Sequence, residues 1–236
     1  MTDRNISDSF PTHFQRESLD LLNKLLPLDS SAFYLVVADM RDRGVVIRNM
    51  PPDTEQDYQD NFRDLDPLNP ALFTQSDTRV ACIDEQMGEA ELMASPYYLG
   101  FKVPLGHRHV ADRFFRRGED IVAVLTMLRG ITRGPFTDAE LDLVRKLQPF
   151  LEYTLNTVYL PRRYRQRDRV REKYSLTDRE LDVVELIVSG ASNKSIAREL
   201  DLSLATVKTH IQHIFQKAEV PSRTALSARV LGDLGN

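Results

Sequence analysis

Leu176 to Arg223 reads LTDRELDVVELIVSGASNKSIARELDLSLATVKTHIQHIFQKAEVPSR, and its own punctuation divides it into three short helices. Thr177-Asp178-Arg179-Glu180 forms a capping box, in which the threonine hydroxyl accepts from an orphan amide while Glu180 reaches back to the cap. Leu181, Val184, Leu186 and Ile187 then supply a buried stripe, and Ser189-Gly190 ends the helix with a residue tolerant of positive φ. Ser192 is placed to cap a second helix, with Ile196, Ala197 and Leu200 facing inward. Ser203 is placed to cap a third, whose Val207, Ile211, Ile214 and Ala218 fall on one face at i, i+4, i+7 and i+11.

Two helices that cross closely need a small residue in the first, a turn residue four positions later and an apolar residue six beyond that. Ala197, Asp201 and Val207 fill those places, aspartate standing where glycine is usual because its short side chain tolerates the left-handed conformation. The spacing therefore predicts a helix-turn-helix. The outer side of its last helix carries Ala205, Thr209, Gln212, His213 and Gln216, with Thr206 and Lys208 at the edges. Amide, hydroxyl and ammonium groups so placed suit base edges and phosphates in a major groove.

The same stretch resembles the LuxR-type (GerE-like) DNA-binding domain of transcriptional regulators. The resemblance rests on Leu176-Thr177, Arg179-Glu180, Gly190, Ser192-Asn193-Lys194, Ile196-Ala197, Thr206-Val207-Lys208, His210, Lys217, Val220 and Arg223. It implies an all-α four-helix domain at 174–236. It also implies Lys208, Thr209 and Gln212 at base edges, and Asn193, Lys194, Thr206 and Lys217 on phosphates of double-stranded DNA. Some relatives have lysine where Gln212 stands, and glutamine favours adenine. Thr224 to Leu231 resembles the helix on which such domains pair, which implies a homodimer on a two-fold operator, with RNA polymerase as a further partner.

Upstream of this domain the composition changes. Residues 161–173 are rich in arginine and read as a basic linker. Residues 1–160 carry 17 Lys+Arg against 25 Asp+Glu, and residues 161–236 carry 14 against 10, so an acidic body of −8 precedes a basic tail of +4. A basic tail is what phosphate neutralisation requires. A length of 236 residues suits two domains.

In residues 1–160 apolar runs alternate with turn signals. His13 to Leu26 has helical spacing and Pro27 closes it. Ala32 to Ala38 and Gly44 to Arg48 flank a hairpin turn at Arg41-Asp42-Arg43-Gly44, and Thr54 to Leu65 reads as a helix before Asp66-Pro67. His109 to Arg116 and Ile121 to Leu128 enclose a second hairpin turn, and Thr137 caps a long helix through Leu151. This order predicts an α+β domain, an antiparallel sheet with flanking helices, and resembles GAF and PAS sensor domains in layout.

A sensor of that kind would hold a small-molecule effector. The candidate lining residues are Tyr58, Phe62, Phe73, Tyr97, Tyr98 and Phe101, with His107, His109 and Arg113 as polar handles. Two alternatives compete. Tyr58 and Asp66-Pro67 sit near the order found in quorum-sensing receptors for acyl-homoserine lactones, although the chain has no tryptophan. Asp84 followed by Met87 suggests a phosphorylated response regulator, although no lysine follows on a later strand.

The remaining features are exclusions. No nucleophile elbow, phosphate loop or supported carboxylate pair argues for an enzyme, and no cofactor is expected. Cys82 is the single cysteine, which leaves no intrachain disulfide and no cysteine-rich metal site. The opening MTDRNISDSF lacks a secretory pattern and no apolar run is long enough for a membrane span, so the expected location is the cytoplasm.

Overall fold

The computed structural model describes residues 12–36 and 42–234, so the opening decapeptide and part of the first hairpin turn lie outside the described residues. The described chain divides into two compact units, Phe14–Asn156 and one built mainly from Thr157–Asn236.

The first unit is built on a five-stranded sheet of order β2-β1-β5-β4-β3. Its strands are β1 (Ser30–Val36), β2 (Asp42–Arg48), β3 (Val80–Cys82), β4 (His109–Arg117) and β5 (Asp120–Arg129). Every pairing is antiparallel. The α+β expectation is met, and the receiver alternative falls, because a receiver is a doubly wound parallel sheet. Strand β3 was not anticipated, since three residues between turns carry no readable alternation.

Both faces of the sheet are covered, which is why its central strands are apolar on both sides. On one face α1 (His13–Leu25) contributes Leu19 and Leu22, and α5 (Asp138–Thr154) contributes Leu141, Val144 and Leu151. Phe33 of β1 is stacked on Phe115 of β4 and edge-on to Phe14 of α1. The Gln15 amide donates to the carbonyls of Phe33 and Gly44 at 3.0 and 2.6 Å, fixing α1 to the β1–β2 hairpin. Helix α5 begins at the expected Thr137 with a complete capping box, and the Arg129 guanidinium grips its Glu140 through two hydrogen bonds.

The opposite face is covered by irregular helical segments. α2 (Thr54–Asp57) passes into a π turn at Tyr58–Phe62 and a 3₁₀ turn at Arg63–Leu65. α3 (Ile83–Gln86) and α4 (Glu89–Ala94) follow β3, and a second π turn spans Tyr98–Lys102. Tyr34, Val110, Phe114, Val124 and Leu128 of the sheet form a core with Leu68, Leu92, Tyr97 and Phe101 of this layer.

The second unit comprises α6 (Leu160–Lys173), α7 (Asp178–Val188), α8 (Asn193–Glu199), α9 (Leu204–Lys217) and α10 (Arg223–Leu234). The stretch expected as a solvated linker is helical. Pro161 is its second residue, directly after a π-helical stretch at Leu155–Tyr159. Leu160, Arg163, Gln166 and Val170 are buried along one side. Its arginines meet the acids of α7: Arg163 bonds Glu185 at 3.1 Å, Arg167 reaches Asp182 at 3.1 Å and also pairs with Glu185, and Arg171 reaches Asp178 at 3.1 Å. Composition alone hid this, because a run of arginine with few apolar residues reads as solvated until the acidic partners are folded against it.

Candidate nucleic-acid interface and effector cavity

The three caps read in the sequence all form. Thr177 accepts from Glu180 N and Glu180 returns to Thr177 N, while Ser192 accepts from Ser195 N and Ser203 from Thr206 N. Asp201 adopts φ 51° after α8, and the amide of Leu202 folds back to the carbonyl of Ala197 at 2.6 Å, a left-handed helix stop. These local devices set where α9 begins, and its apolar side fixes how it rolls. Val207 and Ile214 are fully buried and Ala218 nearly so, with Ile211 partly covered. Thr206, Lys208, Thr209, Gln212, His213 and Gln216 are consequently exposed on the other side. Lys194 is exposed and Asn193 half-buried at the start of α8.

One expected DNA contact is already engaged within the protein. Lys217 donates to Glu180 at 2.7 Å, and Glu180 is buried. Burial alone would push that carboxyl up, but the bonds from Lys217 and from the Thr177 cap outweigh it and hold the group below its ordinary range. Lys217 thus joins the end of α9 to the start of α7. The arginines flanking these helices also tie elements together. Arg179 donates to the Leu200 carbonyl, and Arg223 to those of Ala191 and, at 3.3 Å, Ile187. Leu200 is the C-cap of α8 and Ala191 lies in the loop between α7 and α8, so both arginines hold connections between helices in place.

In the first unit a cavity of about 70 Å³ lies between the sheet and the two π turns. Tyr34, Tyr58, Tyr97 and Phe101 supply its aromatic walls, and Thr126 of β5 a hydroxyl. A wider groove of about 440 Å³ shares Thr54 and Phe101 with it and carries Asp53, Asp57 and Asp60. Gly100 lets the Phe62 ring lie close, since a Cβ there would stand 2.8 Å from it and would push it aside.

Apart from Asp66, noted in the sequence beside Tyr58, the charged lining was not anticipated. Glu55, Asp66, Lys102 and Asp112 all border the cavity. Asp66 is engaged at both oxygens, accepting from Leu68 N at 2.8 Å and from the Tyr58 hydroxyl at 2.9 Å. Burial, together with Asp66, drives the Tyr97 phenol well above its ordinary value. Lys102 is 4% exposed, and its Nζ stands 5.0 Å from the Tyr97 ring centre and 4.9 Å from that of Phe101. Desolvation lowers its pKa, while Asp66 and Asp112 oppose the shift.

The expected lining residues therefore separate. Tyr58, Tyr97 and Phe101 border the cavity. Phe62 stands behind them, stacked on Phe101 at 5.1 Å. Phe73 packs on Phe114, and Tyr98 is buried in the same core without reaching the cavity. His107 is buried against the Ser30 hydroxyl at 2.9 Å, and desolvation pulls its pKa down to about 4. His109 pairs with Asp84 at 2.9 Å. Arg113 alternates away from Asp112 in β4 and lies on the α5 side of the sheet, outside the cavity. Period-two alternation could have separated Asp112 from Arg113; nothing in the sequence marks Lys102, because a lysine in an irregular segment reads as surface.

Residues 174–230 match the model of the bacterial regulatory proteins, luxR family. Over 215 residues, 89% of this chain and 87% of the other, the sequence is 34% identical to the monoamine regulon transcriptional regulator of Klebsiella aerogenes. The chain belongs to the LuxR family. This LuxR-family regulator is a DNA-binding transcriptional regulator and not an enzyme. Over 53 residues, 22% of the chain and 24% of the other, it is 45% identical to the nitrate/nitrite response regulator NarL of Escherichia coli. Among solved structures it is similar to Escherichia coli SdiA, at 20% identity with a TM-score of 0.43 over 94% of both chains. It is also similar to a GAF domain/HD domain protein of Geobacter sulfurreducens, at 14% identity with a TM-score of 0.46 over 64% of this chain and 94% of that one. Among the described residues no helix is long and apolar enough to cross a membrane.

Proposed function

We propose that this LuxR-family regulator senses a small molecule in the Phe14–Asn156 unit and converts its binding into a change of operator affinity. The observation that carries the reading is the mainly apolar, aromatic-walled cavity inside that unit, where a buried ammonium and carboxylates occupy positions that packing alone would give to apolar residues. A ligand that prefers one arrangement of the regulator shifts its population by that preference and no more.

At the DNA, Lys208, Thr209 and Gln212 approach base edges in the major groove. Asn193, Lys194 and Thr206 hold phosphates, while Lys217 serves Glu180. The working form is a homodimer in the cytoplasm that acts with RNA polymerase. Helix α10 supports the pairing, since Leu226 and Val230 face its own core while the small residues Thr224, Ala228 and Gly232 are exposed. The Klebsiella relative is named for a monoamine regulon, and we extend control of such a regulon to this chain. The hydroxyl of Tyr58 on Asp66 favours a second reading of the signal, an acyl-homoserine lactone.

Gel shifts on an operator selected from random duplexes test the proposal. Expected is an operator affinity that changes at least severalfold with a molecule that also raises the Tm of the protein. Equal affinity with and without every such molecule refutes the coupling.

A further inference from the structure

The lining of the cavity constrains what can enter it. Lys102 brings three N–H donors, yet among the described residues no hydrogen bond or ion pair reaches its Nζ, only the ring faces of Tyr97 and Phe101. A buried ammonium without acceptors is costly. Lys102 lines the cavity alongside Asp66 and Asp112, which act on its charge without a hydrogen bond, so an occupant of the cavity is placed to supply an acceptor.

Charge narrows the occupant further. Glu55, Asp66 and Asp112 oppose Lys102, three carboxylates to one ammonium, a formal −2 at the lining, and the adjoining groove adds Asp53, Asp57 and Asp60. An anionic ligand would meet this field on the way in and at its destination. A cationic amine would be drawn to the groove, but inside it meets the Lys102 ammonium over the very rings that would otherwise cage it. A neutral acceptor suffers neither penalty.

Resting on the sensor reading above, we infer that Lys102 is the ligand anchor of this regulator and that its effector presents a neutral carbonyl oxygen to Lys102. The cavity holds only the head of such a molecule: about 70 Å³ corresponds to roughly five water-sized positions. An apolar body continues past Phe101 toward the groove, along the wall that the cavity and groove share.

Three probes with one ring and three charges test this on the full chain: benzamide, benzylamine and benzoate, each at the same concentration in a thermal-shift assay. Benzamide is expected to raise the Tm of the wild type by on the order of 3 °C near saturation, and the other two by much less. Lys102→Met is expected to lose the benzamide shift while its ligand-free Tm does not fall, and Lys102→Gln, which keeps a donor, to retain part of the shift. Should Lys102→Met fail to fold, the ranking on the wild type and Lys102→Gln still decides. Benzylamine or benzoate matching benzamide, a benzamide shift that survives in Lys102→Met, or no shift by any probe overturns the inference. A benzylamine shift equal in wild type and Lys102→Met would overturn it while leaving the sensor reading intact; that reading falls on unchanged operator affinity instead.

Discussion

Both units bury paired charges, as Arg129 with Glu140 shows in the sheet unit, but the sheet unit also buries charges that no protein group bonds among the described residues. In the DNA-binding unit Arg163, Glu180 and Glu185 are buried, and each has a partner: Arg163 meets Glu185, and Glu180 meets Lys217. In the sheet unit Lys102 reaches no protein acceptor, and the fully buried Arg113 has no hydrogen-bond partner for any of its three guanidinium nitrogens among the described residues. Paired charges fix helices to one another, whereas unpaired ones weaken a core and persist where something other than stability is selected. The contrast separates a scaffold that presents a surface from a domain built around an interior.

The largest effects test that contrast directly. Glu185→Ala leaves Arg163 buried without its acid and is expected to cost the DNA-binding unit about 3 kcal/mol, measured by chemical denaturation. Arg113→Met, which removes a charge with no bonds to lose, is expected to stay within about 1 kcal/mol of wild type or to gain. Equal losses from the two would erase the distinction. Lys208→Ala comes next, with operator affinity expected to fall about 10- to 100-fold at unchanged Tm. An unaltered gel shift would remove Lys208 from the interface.

The units should also part with pH. Burial holds His107 down to about 4, with the Lys102 charge adding to the shift and Asp29 opposing it. The native state therefore binds fewer protons than the unfolded chain between that value and the ordinary 6.5. Stability of the sheet unit is intact above about pH 6.5 and falls as the pH drops toward 4, by on the order of 2 kcal/mol. In the DNA-binding unit Glu180, held below its ordinary range, contributes stability that is intact above about pH 4.5 and lost as the pH falls below that value. Calorimetry should show the sheet transition moving first, and His107→Gln should abolish that movement; a transition that moves equally in the variant would discard His107 as its source. The smallest effect is that of Lys194→Ala, a severalfold loss on specific and random duplexes alike with a salt slope shallower by about one. A changed base preference would contradict a phosphate role.

Legibility in the sequence followed the range of the interactions. Thr177, Ser192 and Ser203 cap helices through residues three positions away, so each cap could be read from a few letters. The stripe of Val207, Ile211, Ile214 and Ala218 is likewise a matter of periodicity. Of the candidate pocket residues, Tyr58, Tyr97 and Phe101 reach the cavity because aromatic residues in a small domain lie inside. Phe73 and Tyr98 satisfy the same rule without reaching it. Asp66 was noticed only beside Tyr58, and Lys102 and Asp112 were missed, because their burial comes from segments far apart in the chain.

The sequence by itself determined the helix-turn-helix, the family of the chain, the antiparallel hairpins and the side of α9 that faces outward. All of these follow from caps, turns and periodicities that act within a few residues. Only the tertiary structure decided that the arginines of α6 belong to Asp178, Asp182 and Glu185, that Arg113 and Asp112 lie on opposite faces of the sheet, and that Lys102 borders a cavity. A charge acquires its partner, or lacks one, only when distant segments are folded together, because burial is a property of the whole packed chain and not of any one stretch of it.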